Sequence, residues 1–330
     1  MALSGKGGSL KVESFYPRPF GTPLPELPDV TVYVEALTRF IGGRRIDSIR
    51  LSSPFLLRTF DPPIAAALEK KVLRVTRIGK RIVWHLDDQL FLVFHLMIAG
   101  RFHWKKRGAA LNRKTGLAAF DFDNGSLFLT EASSKKRAAL HVVRGTSALD
   151  EFRQGGVEPF DTTFEKFGAA LRAENHTLKR SMTDPHIVSG IGNAYSDEIL
   201  HRAKLSPVLL TQKMDDAQMR RLFDATKKVL TEWTERLRKD AGERFPEKVT
   251  AFHEAMAVHG KFGKPCSVCG SPVQRIVRAA NETNYCATCQ TDGKILADRS
   301  LSRLLGEDWP RSFEELEERK QRLGGPRPFA

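Results

Sequence analysis

Residues 72–96 read VLRVTRIGKRIVWHLDDQLFLVFHL. Three apolar runs, Val72–Ile78, Arg81–Leu86 and Leu90–Leu96, have the length of strands and the Val/Ile/Leu/Phe content that strands favour. Asp87-Asp88 breaks the second from the third as a turn does. Further along, Leu117–Phe122 and Ser126–Thr130 flank the hairpin signal Asn124-Gly125. Several short strands at this spacing, from about 46 to 145, predict a β-sandwich or barrel.

Outward from this stretch the pattern changes twice. Upstream, Val30, Tyr33, Val34, Leu37 and Ile41 recur at helical spacing, with Pro28 and Asp29 suited to a first turn and Gly42-Gly43 to an end. Before them, residues 1–24 carry Gly, Ser, Pro and Lys without periodicity and read as a flexible extension. Downstream, Asp215 to about Lys239 places Met219, Leu222, Phe223, Val229, Leu230, Trp233 and Leu237 on one stripe, a long amphipathic helix whose apolar face is core. Ser312 with Glu315 forms a capping box for a helix in the tail. The outline is an α+β multidomain chain: an extension over 1–24, a β-rich domain over 25–150, a helical domain over 151–255, a cysteine module over 256–290 and a tail over 291–330.

The chain has 330 residues, 41% of them hydrophobic and 28% charged, with mean hydropathy −0.33. That balance fits globular domains and excludes fibrous or extensively disordered classes. No apolar run approaches the roughly 18–20 residues of a membrane span, and residues 1–24 lack the apolar core of a secretory signal, so a cytosolic protein is expected, nucleoid-associated in a bacterium. Lys and Arg number 53 against 39 Asp and Glu, a formal charge of +14. Such an excess suits a polyanionic partner, nucleic acid before membrane.

The four cysteines fall into two pairs, Cys266-x-x-Cys269 and Cys286-x-x-Cys289, with sixteen residues between them. This is the spacing of a four-cysteine zinc site, in which two short knuckles supply a tetrahedron of thiolates. A closed site of this kind leaves no position for a reacting water, so one structural Zn²⁺ is expected. Between the knuckles, Val273–Arg278 reads as a strand, Asn281–Asn284 as a turn and Tyr285 as the returning strand.

Five pieces now stand in one order: PELPDV at 25–30, GKRIVWHL at 79–86, HLMIAGRF at 95–102, SGIGNAYSDEIL at 189–200, and the cysteine hairpin. In that order they resemble the formamidopyrimidine-DNA glycosylase / endonuclease VIII family over about residues 25–290. The resemblance implies a β-sandwich opened by a helix, a helical domain with a helix–two-turn–helix, and a zinc-finger hairpin. It also implies a monomer that acts on damaged double-stranded DNA, removing oxidised bases and cutting the abasic site by β- and, in some members, δ-elimination. An N-terminal proline supplies a secondary amine whose pKa near 8 leaves it usable at neutral pH. By resemblance Pro25 is the nucleophile, Glu26 the proton donor and shuttle, and Lys80 a general acid or phosphate anchor. Asn193, with backbone N–H groups at a helix start, and Lys179 would contact phosphate. His95 would pack or orient within the sheet. Without the resemblance, Pro25 reads as a turn proline, Glu26 as a first-turn charge and Lys80 as a hairpin lysine.

The sequence departs from the family pattern in four places. Pro25 follows Leu24 in an amide, and an amide nitrogen is no nucleophile. A leucine-type start codon at Leu24 would remove the difficulty; a genuine extension would instead make the protein a binder of lesions or abasic sites without covalent chemistry. Asn281 stands where the family has an arginine, with Arg278 or Arg275 as the nearest substitutes. The segment TEASSKKRAAL at 130–140 keeps charge at Lys135, Lys136 and Arg137 but has no aromatic wedge. Ile98, beside Met97, stands at the family's wedge methionine.

Overall fold

The computed structural model describes residues 25–247, 253–278, 281–296 and 310–312, with 315 and 318. The reading of 1–24 as an extension lies outside them. Helix α1 (Leu27–Ile41) begins where Pro28 was placed and stops where Gly42 returns its N–H to Thr38. Strands β1 (Ser48–Leu51), β2 (Val72–Ile78), β3 (Arg81–Leu86), β4 (Leu90–His95), β5 (Gly100–Lys105), β6 (Gly116–Phe122), β7 (Gly125–Glu131) and β8 (Ala139–Arg144) follow. They form two four-stranded antiparallel sheets, ordered β1-β6-β7-β5 and β2-β3-β4-β8.

The sheets pack face to face, as the alternation of apolar residues requires. Trp84 and Phe94 from one sheet meet Phe120 and Phe102 from the other, with ring centroids 5.1–5.5 Å apart. Tyr33, Leu37 and Ile41 of α1 are buried in the same core. The runs β3 and β4 are apolar on both faces because the segment Thr146–Phe152 covers the second face, where Leu149 and Phe152 bury Val83 and Val93. Strands β1, β5 and β8 are not individually marked in the sequence: β1 alternates but is only four residues long, β8 mixes charge and apolar residues without strict alternation, and β5 reads only as a motif.

Helices α2 (Phe164–Arg172), α3 (Leu178–Thr183), α4 (Asn193–Ala203) and α5 (Asp216–Ala241) build a second core. The predicted stripe of α5 is buried in it, and Asp215 caps that helix with Gln218 in a reciprocal box. Leu27, the first residue of α1, is buried in this helical core, which fixes the start of α1 at the junction of the two bodies. The cysteine module is a hairpin of β9 (Val273–Arg278) and β10 (Asn281–Cys286), followed by α6 (Ala287–Thr291). Asn281–Asn284, expected to be a turn, belongs to β10, since the polar side chains Glu282 and Asn284 find partners at the module base. The tail returns to this module: Lys294 pairs with Ser312, and Ile295 donates to the Arg311 carbonyl. Ser312 Oγ accepts from the Glu315 N–H at 3.2 Å, the contact its capping box predicts; most of that helix lies outside the described residues.

Candidate active site and nucleic-acid interface

Three chain segments meet at Glu26. Its side chain is buried between α1 and the loop entering α4, where its carboxylate accepts N–H bonds from Gly192 at 2.6 Å, Ala194 at 2.9 Å and Tyr195 at 3.2 Å. These are orphan donors of the first turn of α4, and an anion is their natural partner. Sequence analysis assigns N–H groups at this helix start to a DNA phosphate; Glu26 takes those of Gly192, Ala194 and Tyr195, and the Asn193 N–H is not among its three donors. The Glu26 N–H in turn donates to Asp29 Oδ2 at 2.8 Å. Pro25, next to it, is buried.

Lys80 enters from the β2–β3 turn, where Gly79 takes φ +56. Burial pulls its ammonium below the ordinary lysine range, while the negative charges of Glu26 and Asp29 act against that shift. Gly192 lies between amine and carboxylate: a Cβ there would stand 2.6 Å from Glu26 Cδ and 2.7 Å from Lys80 Nζ. Space, rather than backbone conformation, demands glycine here. Gly192→Ala is therefore expected to cost about 1–3 kcal/mol of stability through overpacking and to push the Glu26 carboxylate and the Lys80 amine apart. Urea unfolding and an activity assay measure the two effects; wild-type values for both would refute the crowding.

The loop is braced from behind. Ser189 Oγ donates to Glu158 Oε1 at 2.6 Å, and Arg77 of β2 donates to the other oxygen at 2.7 Å. Leu27 N–H donates to the Gly190 carbonyl at 2.9 Å.

Asp29 is fully buried, and its Oδ1 has no partner. Burial, aided by Glu26 and opposed by the Glu26 N–H and by Arg101, lifts its carboxyl to about 7. The stability consequence has a definite sign. Between about pH 4 and pH 7 the unfolded chain has lost this proton and the native chain keeps it, so stability falls as pH rises. Asp29→Asn abolishes this pH dependence: from pH 4 to pH 8 the variant should gain about 4 kcal/mol on the wild type, the linkage free energy of a carboxyl that ionises at about 7 when buried and at 3.8 when free. Unfolding at both pH values reads it, and a constant difference would show that Asp29 does not titrate late.

Lys179 and Asn193, expected to contact DNA, are tied within the protein. Lys179 Nζ donates to the Asn193 carbonyl and Ser196 Oγ, each at 2.7 Å, and to Asp197 Oδ1 at 2.5 Å. Asn193 Nδ2 donates to the Glu282 carbonyl at 2.8 Å, fastening the loop to the cysteine hairpin. Asp197, fully buried, also pairs with His259 Nδ1 at 2.8 Å and accepts the Asn284 N–H at 3.1 Å. Glu198 takes the N–H groups of Ala257, Val258 and His259. Sequence reasoning quoted both acids within SGIGNAYSDEIL and gave them no role; two adjacent carboxylates among the apolar positions of a short helix were the available signal.

The four cysteine sulfurs lie within 4.8 Å of one another. Cys266 and Cys289 are 4.0 Å apart and Cys269 and Cys286 3.4 Å, close to the edge of about 3.8 Å of a tetrahedron with Zn–S bonds of about 2.3 Å. The donor set fits zinc. His201 of α4 reaches Cys266 Sγ with Nε2 at 3.3 Å, the outer-shell contact that orients a ligand.

Lys135, Lys136 and Arg137 are exposed at the head of β8. Their segment is held by the buried Glu131 carboxylate, which accepts from the Arg137 and Ala138 N–H groups, and by Lys136 Nζ, which donates to the Glu131 and Lys114 carbonyls. Arg275 pairs with Glu282 at 3.3 Å and stacks over Phe262. The side chain of Arg278 is outside the description. Asn281, opposite Arg278 in the hairpin, is exposed. His95 is half-buried, and burial with the charges of Arg81 and Lys80 draws it to about 4, so it is neutral. Met97 takes φ +52, a left-handed conformation at the tip between β4 and β5.

The profile for the formamidopyrimidine-DNA glycosylase N-terminal domain matches residues 24–137, that for its H2TH domain residues 156–241, and that for the zinc finger found in this glycosylase and in an isoleucyl-tRNA synthetase group residues 263–291. The formamidopyrimidine-DNA glycosylase of Desulforamulus reducens is 30% identical over 282 residues, covering 81% of this chain and 99% of that one; the enzyme of Heliobacterium modesticaldum is 31% identical over 281 residues, covering 81% and 100%. The Lactococcus lactis enzyme in complex with DNA containing an oxidised pyrimidine superposes with a TM-score of 0.73 at 26% identity, covering 81% of this chain and 100% of that one. The chain belongs to the formamidopyrimidine-DNA glycosylase family.

Proposed function

We propose that this protein excises oxidised bases from duplex DNA and cleaves the abasic site through a Schiff base at Pro25. The observation that carries the reading is Glu26. It follows Pro25 directly, is buried, and lies across Gly192 from the Lys80 amine. Freed of Leu24, the Pro25 nitrogen attacks the sugar C1′; the base leaves with a proton, and the resulting iminium acidifies C2′ so that the 3′-phosphate departs by β-elimination. Glu26 moves the protons of these steps. Lys80, held by burial with less affinity for its own proton, serves as acid or phosphate anchor. The target nucleotide leaves the stack first, at a cost of a few kcal/mol that favours damaged pairs.

The family profile matches from residue 24, so that Pro25 and Glu26 both lie inside it. Lys135, Lys136 and Arg137 supply exposed charge for phosphates, and Asn193 and Lys179 shape the loop beneath. With Asn281 in the hairpin, δ-elimination would rest on Arg278 or Arg275. The four cysteines hold one Zn²⁺ that fixes the hairpin and takes no part in the reaction. A second reading follows from Leu24 alone: a chain that keeps it binds abasic sites without cutting. Borohydride trapping on an abasic-site duplex separates the two. Among the described residues no helix is long and apolar enough to cross a membrane.

A further inference from the structure

Among the described residues, the two most exposed large apolar side chains lie five residues apart on one segment outside the site. Phe55 is 78% and Phe60 88% exposed, with exposed Arg58 between them. The segment is anchored where it stands: Leu56, between the aromatic rings, is buried in the sandwich core. Leu57 bridges Leu140 in parallel, Arg58 N–H donates to the Leu140 carbonyl at 2.9 Å, and Val142 N–H donates to Thr59 Oγ1 at 2.7 Å. It therefore forms a rim along the outer edge of β8.

The start of this rim, Phe55–Leu57, belongs to the end of the sheet that carries Lys80; from there it runs along β8 past Val142, with Phe60 further from that end. Arg81 pairs with His95, and His95 with Ala139, so the row runs from the Lys80 turn through β4 to the head of β8 and then to Leu57. Three inter-strand spacings put the start of the rim about 14 Å from that turn. Arg137 is three residues from Leu140, the residue facing Leu57, so the basic segment 135–137 borders the rim. The segment 52–60 contains one arginine and no acid; Asp61 follows it.

Exposed aromatic rings alternating with cations recognise unpaired nucleic acid: rings stack bases of any sequence, and cations follow the phosphates. We propose that Phe55, Arg58 and Phe60, bordered by Lys135, Lys136 and Arg137, form a platform for single-stranded DNA beside the glycosylase site, fitting the enzyme to lesions at gaps, forks or bubbles. Duplex DNA keeps its base faces stacked and offers the rings nothing. The positive charge selects DNA over an apolar partner.

The test compares binding of three DNAs to the protein by fluorescence anisotropy: a 20-nucleotide oligothymidylate, an abasic-site duplex, and the same duplex with a single-stranded gap beside the lesion. Phe55→Ala/Phe60→Ala is expected to weaken binding to oligothymidylate and to the gapped duplex by about 10- to 100-fold, and to the full duplex by less than twofold. Phe55→Tyr/Phe60→Tyr should restore it. Both side chains are exposed, so thermal unfolding should be unchanged. Equal losses on all three DNAs, or no loss on the gapped one, would overturn the platform. A wild type that neither binds nor traps the abasic-site duplex would count against the glycosylase reading alone.

Discussion

A chain that begins at Pro25 should be trapped on an abasic-site duplex by borohydride, and a chain that retains Leu24 should give no adduct at all. The difference is expected to exceed 10³-fold because it is one of kind. In an amide the nitrogen lone pair is delocalised into the carbonyl and cannot form an iminium, whereas a free prolyl amine near pKa 8 keeps a reactive fraction at neutral pH. Glu26 sharpens the test. Its carboxylate accepts three N–H bonds from the α4 loop through both oxygens, so Glu26→Gln sets an NH2 against backbone donors at a local cost of about 1–3 kcal/mol, while excision drops about 10²–10⁴-fold, the usual contribution of a positioned proton carrier. Trapping on a preformed abasic site should fall less, since no base has to leave. Equal adduct from both chain starts would move the nucleophile away from Pro25, with Lys80 the nearest amine. The intact mass of the protein from its own host shows which start the cell uses.

How far the sequence disclosed this site depends on which forces act there. Helix α5 and strands β2, β3 and β4 were legible because their burial is local and periodic: side chains three or four apart, or in a continuous run, share a face. Strand β8 was not, because its position comes from pairing with β4 and with Leu57, a contact across more than eighty residues. The same holds within the site. Cys266, Cys269, Cys286 and Cys289 could be assigned from spacing, since a metal imposes its geometry on the chain. Glu26 was visible only by resemblance, and its occupation of the α4 helix start was not visible at all. Nothing in PELPDV says which N–H groups, more than 160 residues away, will converge on that carboxylate. Lys179 shows the converse limit. The resemblance gives this lysine to a phosphate; that its 14% exposed side chain also meets the fully buried Asp197 depends on a helix packing sequence patterns do not encode.

Zinc removal should separate binding from catalytic geometry. Cys286→Ser, or chelation of the wild type, takes away a ligand set whose binding provides about 10–16 kcal/mol in isolated zinc fingers, more than the small cluster of Val258 and Val273 can replace. The loss should spread along α4, which holds the module by His201 to Cys266, Glu198 to the 257–259 backbone and Asp197 to His259 and Asn284. Freed from His259 and Asn284, Asp197 would keep Lys179 as its one partner, and Asn193 would lose the Glu282 carbonyl. The hold of Glu26 on Gly192, Ala194 and Tyr195 involves no residue of the module and should survive. Hydrogen exchange should therefore rise across 253–296 and remain slow at Gly192, Ala194 and Tyr195, while affinity for abasic-site duplex falls about 100-fold or more. Added Zn²⁺ should restore the wild type and leave Cys286→Ser impaired. Full DNA affinity in the metal-free protein would mean that the hairpin contributes no contact, and the sandwich and helical body alone would carry the DNA.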